Sequence, residues 1–294
     1  MDARSLTIRD RIEDTLTNAV ARLAAHDAPP RFGKALHYAV FPGGARVRPR
    51  LCLAVAHACG DSRPDLSNAA AAAIEMLHCA SLVHDDMPCF DNADIRRGKP
   101  SVHRQHGEPL ALLVGDALII AAFETIARAA ADRPDRLAGL TVALAAAAGS
   151  PHGLVAGQAW ESESTIPLDL YHRAKTASLF IGATSCGAIA AGADPSIWRT
   201  LGEKLGAAYQ TADDLRDAAG DEADLGKPIG QDQAHARPNA VIELGIEGTL
   251  MRLQALVQQA IAAIPDCPGA HDLEALIRGE AKRLVPKKMA QFAA

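Results

Sequence analysis

Aromatic residues make up only 4% of the 294 residues, and runs of β-branched residues are scarce. Alanine-rich stretches such as Asn68–Ala73 and Leu140–Ala148 are frequent instead. Alanine is the best helix former and contributes little to the surface of a β-sheet. The composition therefore predicts an all-α protein, and the length suits a single domain over residues 1–294.

The six cysteines lack CxxC spacing, and most of them fall in apolar helical patterns. This arrangement is typical of buried free thiols in a reducing compartment, so we expect a cytoplasmic protein. The first ten residues are charged and lack the apolar core of a secretory signal. No window approaches the roughly 20 uninterrupted apolar residues of a membrane span, so none is expected.

An excess of positive charge is also lacking, since the net charge is −5 and the pI is near 6.1. A nucleic-acid partner would need a broad basic face, so none is expected. The basic residues instead gather locally at 46–50, 96–99 and 282–288. Clusters of this size suit a small polyanionic ligand.

Apolar periodicity, broken by Gly and Pro, predicts a series of helices. Their approximate bounds are 5–26, 31–40, 48–60, 65–87, 108–131, 135–149, 169–192, 197–217, 239–263 and 270–290. Several are apolar on more than one face, which predicts one bundle of about ten helices with buried central members.

Two clusters of three aspartates are the most informative feature. They are Asp85, Asp86 and Asp91, and Asp213, Asp214 and Asp217. Three carboxylates within seven residues repel one another and are costly to desolvate. A hard cation relieves that cost, and Mg2+ takes one or two carboxylates together with oxygens of a substrate phosphate. The two clusters therefore predict a metal-bridged diphosphate site.

Helical geometry leads to different expectations for the two aspartate clusters. Each helical residue advances by about 100°, so the three aspartates of the second cluster and Gln210 are expected to share one face and converge on one ligand. In the first cluster an unbroken helix would scatter the carboxylates. Pro88 disfavours helical geometry before it, so the helix is predicted to end near Met87, with Asp91 folding back towards Asp85.

Cationic residues accompany both clusters. Two arginines follow Pro42–Gly43–Gly44, whose backbone permits the close approach of an anion. Arginine offers forked donors that match phosphate oxygens. The cationic candidates for diphosphate binding are Arg46, Arg48, Arg96, Arg97, Lys175 and Lys227.

Together these residues resemble the trans-isoprenyl diphosphate synthase (polyprenyl synthetase) family. Residues Asp85–Asp91 followed by Arg96–Pro100 match its first aspartate-rich motif, and Gln210–Asp217 match its second. Further stretches resemble the members that make geranylgeranyl diphosphate in bacterial carotenoid pathways. These stretches are Phe41–Arg46, Ala156–Ser164, Gly226–Asp232 and Arg237–Val241.

The resemblance implies an isoprenoid synthase fold with a deep apolar cavity, a homodimer, and Mg2+-dependent head-to-tail condensation of isopentenyl diphosphate with an allylic diphosphate. The six aspartates would hold three Mg2+ ions. The expected catalytic residues are Asp85, Asp86, Asp91, Lys175, Asp213 and Asp214. The expected allylic diphosphate ligands are Arg96, Lys175, Thr176, Gln210 and Lys227, and those of isopentenyl diphosphate are Arg48, His78 and Arg97.

One departure from the family pattern is Ala45, where most members have Lys. The missing cation is expected to weaken isopentenyl diphosphate binding, with Arg46 as a substitute.

Product length is expected to depend on the helix before Asp85. Positions four and five residues earlier lie about 6 Å deeper, close to one isoprene unit. They are Ser81 and Ala80, both small, whereas farnesyl-producing relatives often have an aromatic residue at the Ala80 position. Growth is therefore predicted to pass C15, with Met76 and Leu77 forming a floor near C20, which gives geranylgeranyl diphosphate.

Other functions remain open at this stage. A farnesyl diphosphate synthase has the same chemistry, and a non-catalytic regulatory subunit would accommodate Ala45. His84–Asp85 is also the pair that binds metal in HD-type phosphohydrolases. Class I terpene cyclases usually mix Asn/Asp, Ser/Thr and Glu in their second motif, unlike Asp213–Asp217.

Overall fold

The computed structural model describes residues 7–219 and 239–284. Its α-helices are α1 (Ile8–Leu23), α2 (Pro30–Val40), α3 (Val47–Ala58), α4 (Pro64–Asp85), α5 (Val102–His106), α6 (Glu108–Ala129), α7 (Pro134–Ala148), α8 (Leu154–Trp160), α9 (Leu168–His172), α10 (Ser178–Ala191), α11 (Arg199–Ala219), α12 (Ala240–Ala262) and α13 (Ala270–Leu284). A π-helical turn, Arg173–Ala177, joins α9 to α10, and a 3-10 turn, Pro195–Trp198, precedes α11. A two-residue antiparallel hairpin pairs β1 (Ile95–Arg96) with β2 (Lys99–Pro100).

Proline begins several of these helices. Pro30, Pro64 and Pro134 each occupy the first turn of a helix. The backbone N–H groups of that turn have no partner within the helix, so the missing N–H of proline costs no hydrogen bond there. Thr7 and Asp10 form a capping box at the start of α1. These local signals place the helix starts within three residues of the bounds predicted from the sequence for α1, α2, α4 and α7.

Helix α4 lies at the centre of the bundle and packs against α6, α3 and α10. Its residues Ala69–Leu77 are all buried, which agrees with the nearly uniform apolar pattern of the sequence. The small alanine side chains let neighbouring helices surround it. Because α4 ends at Asp85, the first aspartate cluster emerges directly from the core.

Two helices, α4 and α6, are long and apolar enough to cross a bilayer by length and composition alone. This finding does not test the expectation that the chain lacks a membrane span, which stays a prediction. A buried core helix meets the same criteria, and the apolar window of α4 is 78% buried within the bundle. The corresponding window of α6 is 44% buried.

The sequence missed the short helices α5 and α8 and the hairpin. Each spans seven residues or fewer, too short to show a helical period. The predicted helix 169–192 contains the π-helical turn. The last helix is described to Leu284, and residues 285–290 of the prediction lie outside the described residues.

Candidate active site

A cavity of about 570 Å³ lies between α4, α8, α10 and α11. Apolar side chains form its walls, including Leu77, Leu82, Ile119, Leu154 and Leu179. Charged and polar side chains also line it: Arg48, His78, Asp85, Asp91, Arg96, Lys175, Thr176, Gln210, Asp213 and Asp217. Both acidic segments therefore contribute carboxylates to one cavity, as the sequence predicted.

The chain turns sharply after α4. The amide of Asp91 donates to the carbonyl oxygen of Asp85 at 3.0 Å, and the amide of Asn92 donates to that of Met87. Helix α4 ends two residues before the predicted end, but the turn returns Asp91 to Asp85 as expected. The interruption imposed by Pro88 thus brings together two carboxylates that a continuous helix would separate.

Asp86 is turned away from this pair. Its side chain is buried and forms a forked ion pair with Arg96, whose Nε lies 2.9 Å from Oδ1. Burial raises the pKa of Asp86, although the hydrogen bonds from Arg96 oppose that rise. The structure therefore corrects the assignment of Asp86 as a metal ligand and shows that Arg96 is already bound to a carboxylate.

The second cluster divides in the same way. Asp213 and Asp217, one helical turn apart, line the cavity. Asp214 is buried and accepts hydrogen bonds at 3.0 Å from Gln210 Nε2 and from the amide of Ala240, at the start of α12. The expectation that all three carboxylates would converge is wrong, because the 100° step from Asp213 directs Asp214 towards another helix.

Glu161 is a site residue that was not predicted from the sequence. It follows α8, and one oxygen of each of Asp85, Asp91 and Glu161 lies within 4.8 Å of the others. Lys175 Nζ lies 2.5 Å from Glu161 Oε1 and 3.4 Å from Asp85 Oδ1. Only the similarity of the stretch Ala156–Ser164 to family members pointed to this region.

The π-helical turn positions Lys175 and Thr176. Thr176 Oγ1 donates to Gln210 Oε1 at 2.6 Å, which connects this turn to α11. Gly157 of α8 lies directly against the backbone of Lys175, and a side chain at Gly157 would collide with it. Such wide turns recur at functional sites, and here the turn directs two polar side chains to the cavity.

Arg48 and His78 form a second polar region of the cavity. Arg48 Nη1 lies 3.4 Å from His78 Nε2, and the guanidinium lies 4.7 Å from the centre of the Phe180 ring. Burial, followed by the charge of Arg48, lowers the pKa of His78 well below 6.5. His78 is therefore neutral at pH 7, and Arg48 supplies the positive charge.

Arg46 does not reach the cavity. Its guanidinium is buried and contacts Glu13 at 2.9 Å, Glu75 at 2.7 Å and the carbonyl oxygen of Val40 at 2.7 Å. Although burial alone would lower the pKa of Arg46, its hydrogen bonds to Glu13 and Glu75 and the charge of Glu75 raise it. The interpretation of Arg46 as a diphosphate ligand and as the substitute for a lysine at position 45 is wrong.

Arg97 adopts a left-handed backbone (φ 53°) and donates through Nη1 to the carbonyl oxygen of Gly43. Its guanidinium packs against Gly44, where a side chain would displace it. Arg97 thus lies beside the glycine loop that precedes α3. The predicted ligand Lys227 and residues 237–238 of the stretch Arg237–Val241 lie outside the described residues.

The residues that were predicted to control product length lie in two places, the wall of the cavity and the core of the bundle. Ala80 and Ser81, which were predicted to form the wall, and Leu77, which was predicted to form the floor, line the cavity. Met76 is completely buried and is absent from that lining. Its assignment to the cavity floor is therefore corrected, since it faces the core.

The donor set suits magnesium. Asp85, Asp91 and Glu161 offer closely spaced carboxylate oxygens, and Asp213 and Asp217 line the same cavity. Oxygen ligands with open positions for water or phosphate are the environment that Mg2+ prefers. The residues present therefore fit the ion.

A helical bundle whose acidic walls enclose one apolar cavity is the arrangement that the sequence predicted for a prenyltransferase. The chain belongs to the polyprenyl synthetase family, whose model matches residues 29–269. It is 56% identical to a geranylgeranyl diphosphate synthase of Cereibacter sphaeroides over 97% of this chain and 99% of that protein.

Solved structures agree with this assignment. An FPP/GFPP synthase of Zymomonas mobilis has a TM-score of 0.79 and 32% identity, over 93% of this chain and 97% of that one. A geranyltransferase of Helicobacter pylori, complexed with magnesium and isoprenyl diphosphate, has a TM-score of 0.77 and 28% identity, over 96% and 100%. The predicted isoprenoid synthase fold is confirmed.

Proposed function

We propose that the protein is a geranylgeranyl diphosphate synthase that joins isopentenyl diphosphate to an allylic diphosphate of C5 to C15. The observation that carries this proposal is the single apolar cavity lined by Asp85, Asp91, Asp213 and Asp217. Carboxylates, cations and an apolar wall are together what a diphosphate with a hydrocarbon tail requires. The 56% identity to a geranylgeranyl diphosphate synthase supports the C20 product.

Lys175, Thr176 and Gln210 are placed to hold the allylic diphosphate. Lys175 Nζ lies next to Asp85, and the hydrogen bond from Thr176 to Gln210 aligns two further polar groups. As the allylic C–O bond breaks, negative charge grows on the departing diphosphate, and a fixed ammonium stabilises that charge. The residues thus favour ionisation over the bound ground state.

Magnesium, when bound, neutralises the diphosphate and stabilises its departure. Asp85, Asp91 and Glu161 on one wall, and Asp213 and Asp217 on the other, are the residues that would hold it. We propose that each site binds three Mg2+ ions.

Arg48 and His78 are placed to bind isopentenyl diphosphate on the other side of the cavity, with Arg97 close to the glycine loop. A neutral His78 donates or accepts a hydrogen bond without adding charge. The alkene of isopentenyl diphosphate attacks the allylic cation, and the proton then lost goes to the released diphosphate. Apolar side chains such as Leu179 and Leu154 keep water away from that cation.

Product length rests on the wall of α4. Ala80 and Ser81 are small and line the cavity, so the growing chain passes them. A farnesyl diphosphate synthase is the second candidate, and it requires a barrier at that depth. Ala80 provides none.

One assay tests the activity. The protein is incubated with Mg2+, an allylic diphosphate and labelled isopentenyl diphosphate, and the product chain length is measured. A C20 product is expected, and C15 would indicate farnesyl diphosphate synthase. Phosphate release without isopentenyl diphosphate would indicate an HD-type hydrolase. Formation of a cyclic hydrocarbon from the allylic substrate alone would indicate a terpene cyclase. The absence of turnover would indicate a regulatory subunit.

A homodimer and a cytoplasmic location belong to the same proposal. Helix α6 exposes Leu112, Leu113 and Ile120, an apolar surface that suits a second copy. Light scattering of the purified protein tests the dimer. The six cysteines are unpaired, which supports a reducing compartment.

A further inference from the structure

The carboxylate of Glu161 accepts hydrogen bonds from three side chains. Tyr171 Oη and Lys175 Nζ each donate to Oε1 at 2.5 Å, and Gln158 Nε2 donates to Oε2 at 2.9 Å. The donors come from α8, α9 and the π-helical turn. Hydrogen bonds to a charged group are the stronger ones, so this carboxylate is fixed by elements that are separate in sequence.

Tyr171 touches both members of the Glu161–Lys175 pair. Its side chain lines the cavity, the residue is only 6% exposed, and Lys175 Nζ lies 5.8 Å from the centre of its ring. A buried phenol requires a polar partner for its hydroxyl. Here that partner is the carboxylate that also holds the lysine.

We propose that Tyr171 is a positioning residue for the allylic diphosphate, acting through Glu161 on Lys175. The hydroxyl fixes the Glu161 carboxylate, and that carboxylate fixes the ammonium group of Lys175 beside Asp85. This inference rests on the proposed function, because it assigns the allylic diphosphate to Lys175.

The physical reason is the flexibility of lysine. Its ammonium group is a point charge on a four-carbon stem and has no preferred direction of its own. Without the hydroxyl, Glu161 loses the hydrogen bond from Tyr171 and holds the ammonium group of Lys175 less firmly. Within the described part of the chain, Arg48 makes its side-chain hydrogen bond with His78 and none with Glu161, Tyr171 or Lys175, so we expect binding of isopentenyl diphosphate to be unaffected.

The test is Tyr171→Phe. We expect its KM for the allylic diphosphate to rise about tenfold, as for the loss of one hydrogen bond to a charged group, while the KM for isopentenyl diphosphate stays unchanged. Calorimetry with inorganic pyrophosphate and Mg2+ should show a similar loss of affinity. Tyr38→Phe is the matched control, because it removes a hydroxyl that donates to the carbonyl oxygen of Pro100 at 2.7 Å, outside the cavity.

A double-mutant cycle establishes the route of the effect. If Tyr171 acts through Glu161, Tyr171→Phe adds no further loss in a Glu161→Gln background. An equal loss in both backgrounds, or equal rises of both KM values, overturns the proposal. Tyr171→Leu, which removes the same hydroxyl with different packing, must show the same selectivity, and circular dichroism confirms that each variant is folded.

The two proposals fail separately. If the wild-type protein shows no condensation activity, the proposed function is wrong. The pyrophosphate affinities of the variants still decide whether Tyr171 positions Lys175.

Discussion

The amide of Asp91 lies 3.0 Å from the carbonyl oxygen of Asp85. With the other backbone hydrogen bonds of the turn after α4, this contact brings the carboxylates of both residues to Glu161. The intervening Asp86 is directed into the protein instead, where Arg96 holds it. Adjacent aspartates in one motif therefore have different tasks.

Substitution of the adjacent aspartates should separate those tasks. Asp85→Asn should lower the Mg2+-dependent rate by roughly 100-fold with little change in stability, because it removes charge that the site uses. Asp86→Asn should lower the free energy of unfolding by about 2 kcal/mol, because Arg96 loses the buried carboxylate to which it is hydrogen-bonded. Rate assays and urea unfolding measure the two effects. Asp94→Asn, an exposed change in the same loop, is the control and should alter neither the rate nor the stability. If Asp85→Asn and Asp86→Asn had the same effects on rate and stability, the two aspartates would not have different roles.

Ala80→Tyr should shorten the product from C20 to C15. The phenol would occupy the cavity wall that Ala80 now leaves open. Chromatography of the dephosphorylated products measures the change. Met76→Leu is the control, since Met76 faces the core and a swap of similar volume there should leave product length unchanged. An unchanged C20 product from Ala80→Tyr would refute the wall assignment.

Arg46→Met should destabilise the protein by about 3 kcal/mol, because Glu75 remains buried without its cation. Urea unfolding measures the loss. The KM for isopentenyl diphosphate should stay the same, whereas Arg48→Met should raise it. Arg63→Met breaks two partly exposed ion pairs, with Asp65 and Asp132, and should cost less than about 1 kcal/mol. A raised KM in Arg46→Met with unchanged stability would restore Arg46 as a ligand.

Stability should fall on both sides of neutral pH. Burial lowers the pKa of His103 and His106 below 6.5 and that of His78 well below it. The unfolded chain therefore binds more protons as the pH drops below about 6.5, and the folded state loses stability. Burial also raises the pKa of Cys59 to about 11 and that of Cys79 to about 12, so stability falls as the pH rises above 9.

Urea unfolding from pH 5 to pH 10 checks this profile. His103→Gln should reduce the slope on the acid side, because one of the groups that takes up protons on unfolding is removed. A midpoint that does not change between pH 7 and pH 5 would contradict the assignment.

The sequence predicted the features that local rules determine. Apolar residues around the whole circumference of α4 indicated a buried helix, and Pro88 indicated the turn that returns Asp91 to Asp85. The spacing of Asp213 and Asp217 placed both on one face of α11. In each case the period of the helix, or its interruption, was sufficient.

Other features depend on which element lies opposite, and periodicity does not carry that information. Asp214 shares a helix with Asp213 but faces the start of α12, and Arg46 is close in sequence to Arg48 but pairs with Glu75. Glu161 follows a short helix whose position depends on the contact between Gly157 and the π-helical turn. These contacts join distant segments and became visible only in three dimensions.

The π-helical turn Arg173–Ala177 also makes the chain intolerant of changes in length here. A wide turn accommodates one extra residue, and each helical residue corresponds to about 100° of rotation. Deletion of one residue from 173–177 would restore an ordinary helix, but it would rotate every preceding side chain relative to α10. Lys175 and Tyr171 would then no longer face Glu161 together, even though no side chain in the cavity had been replaced.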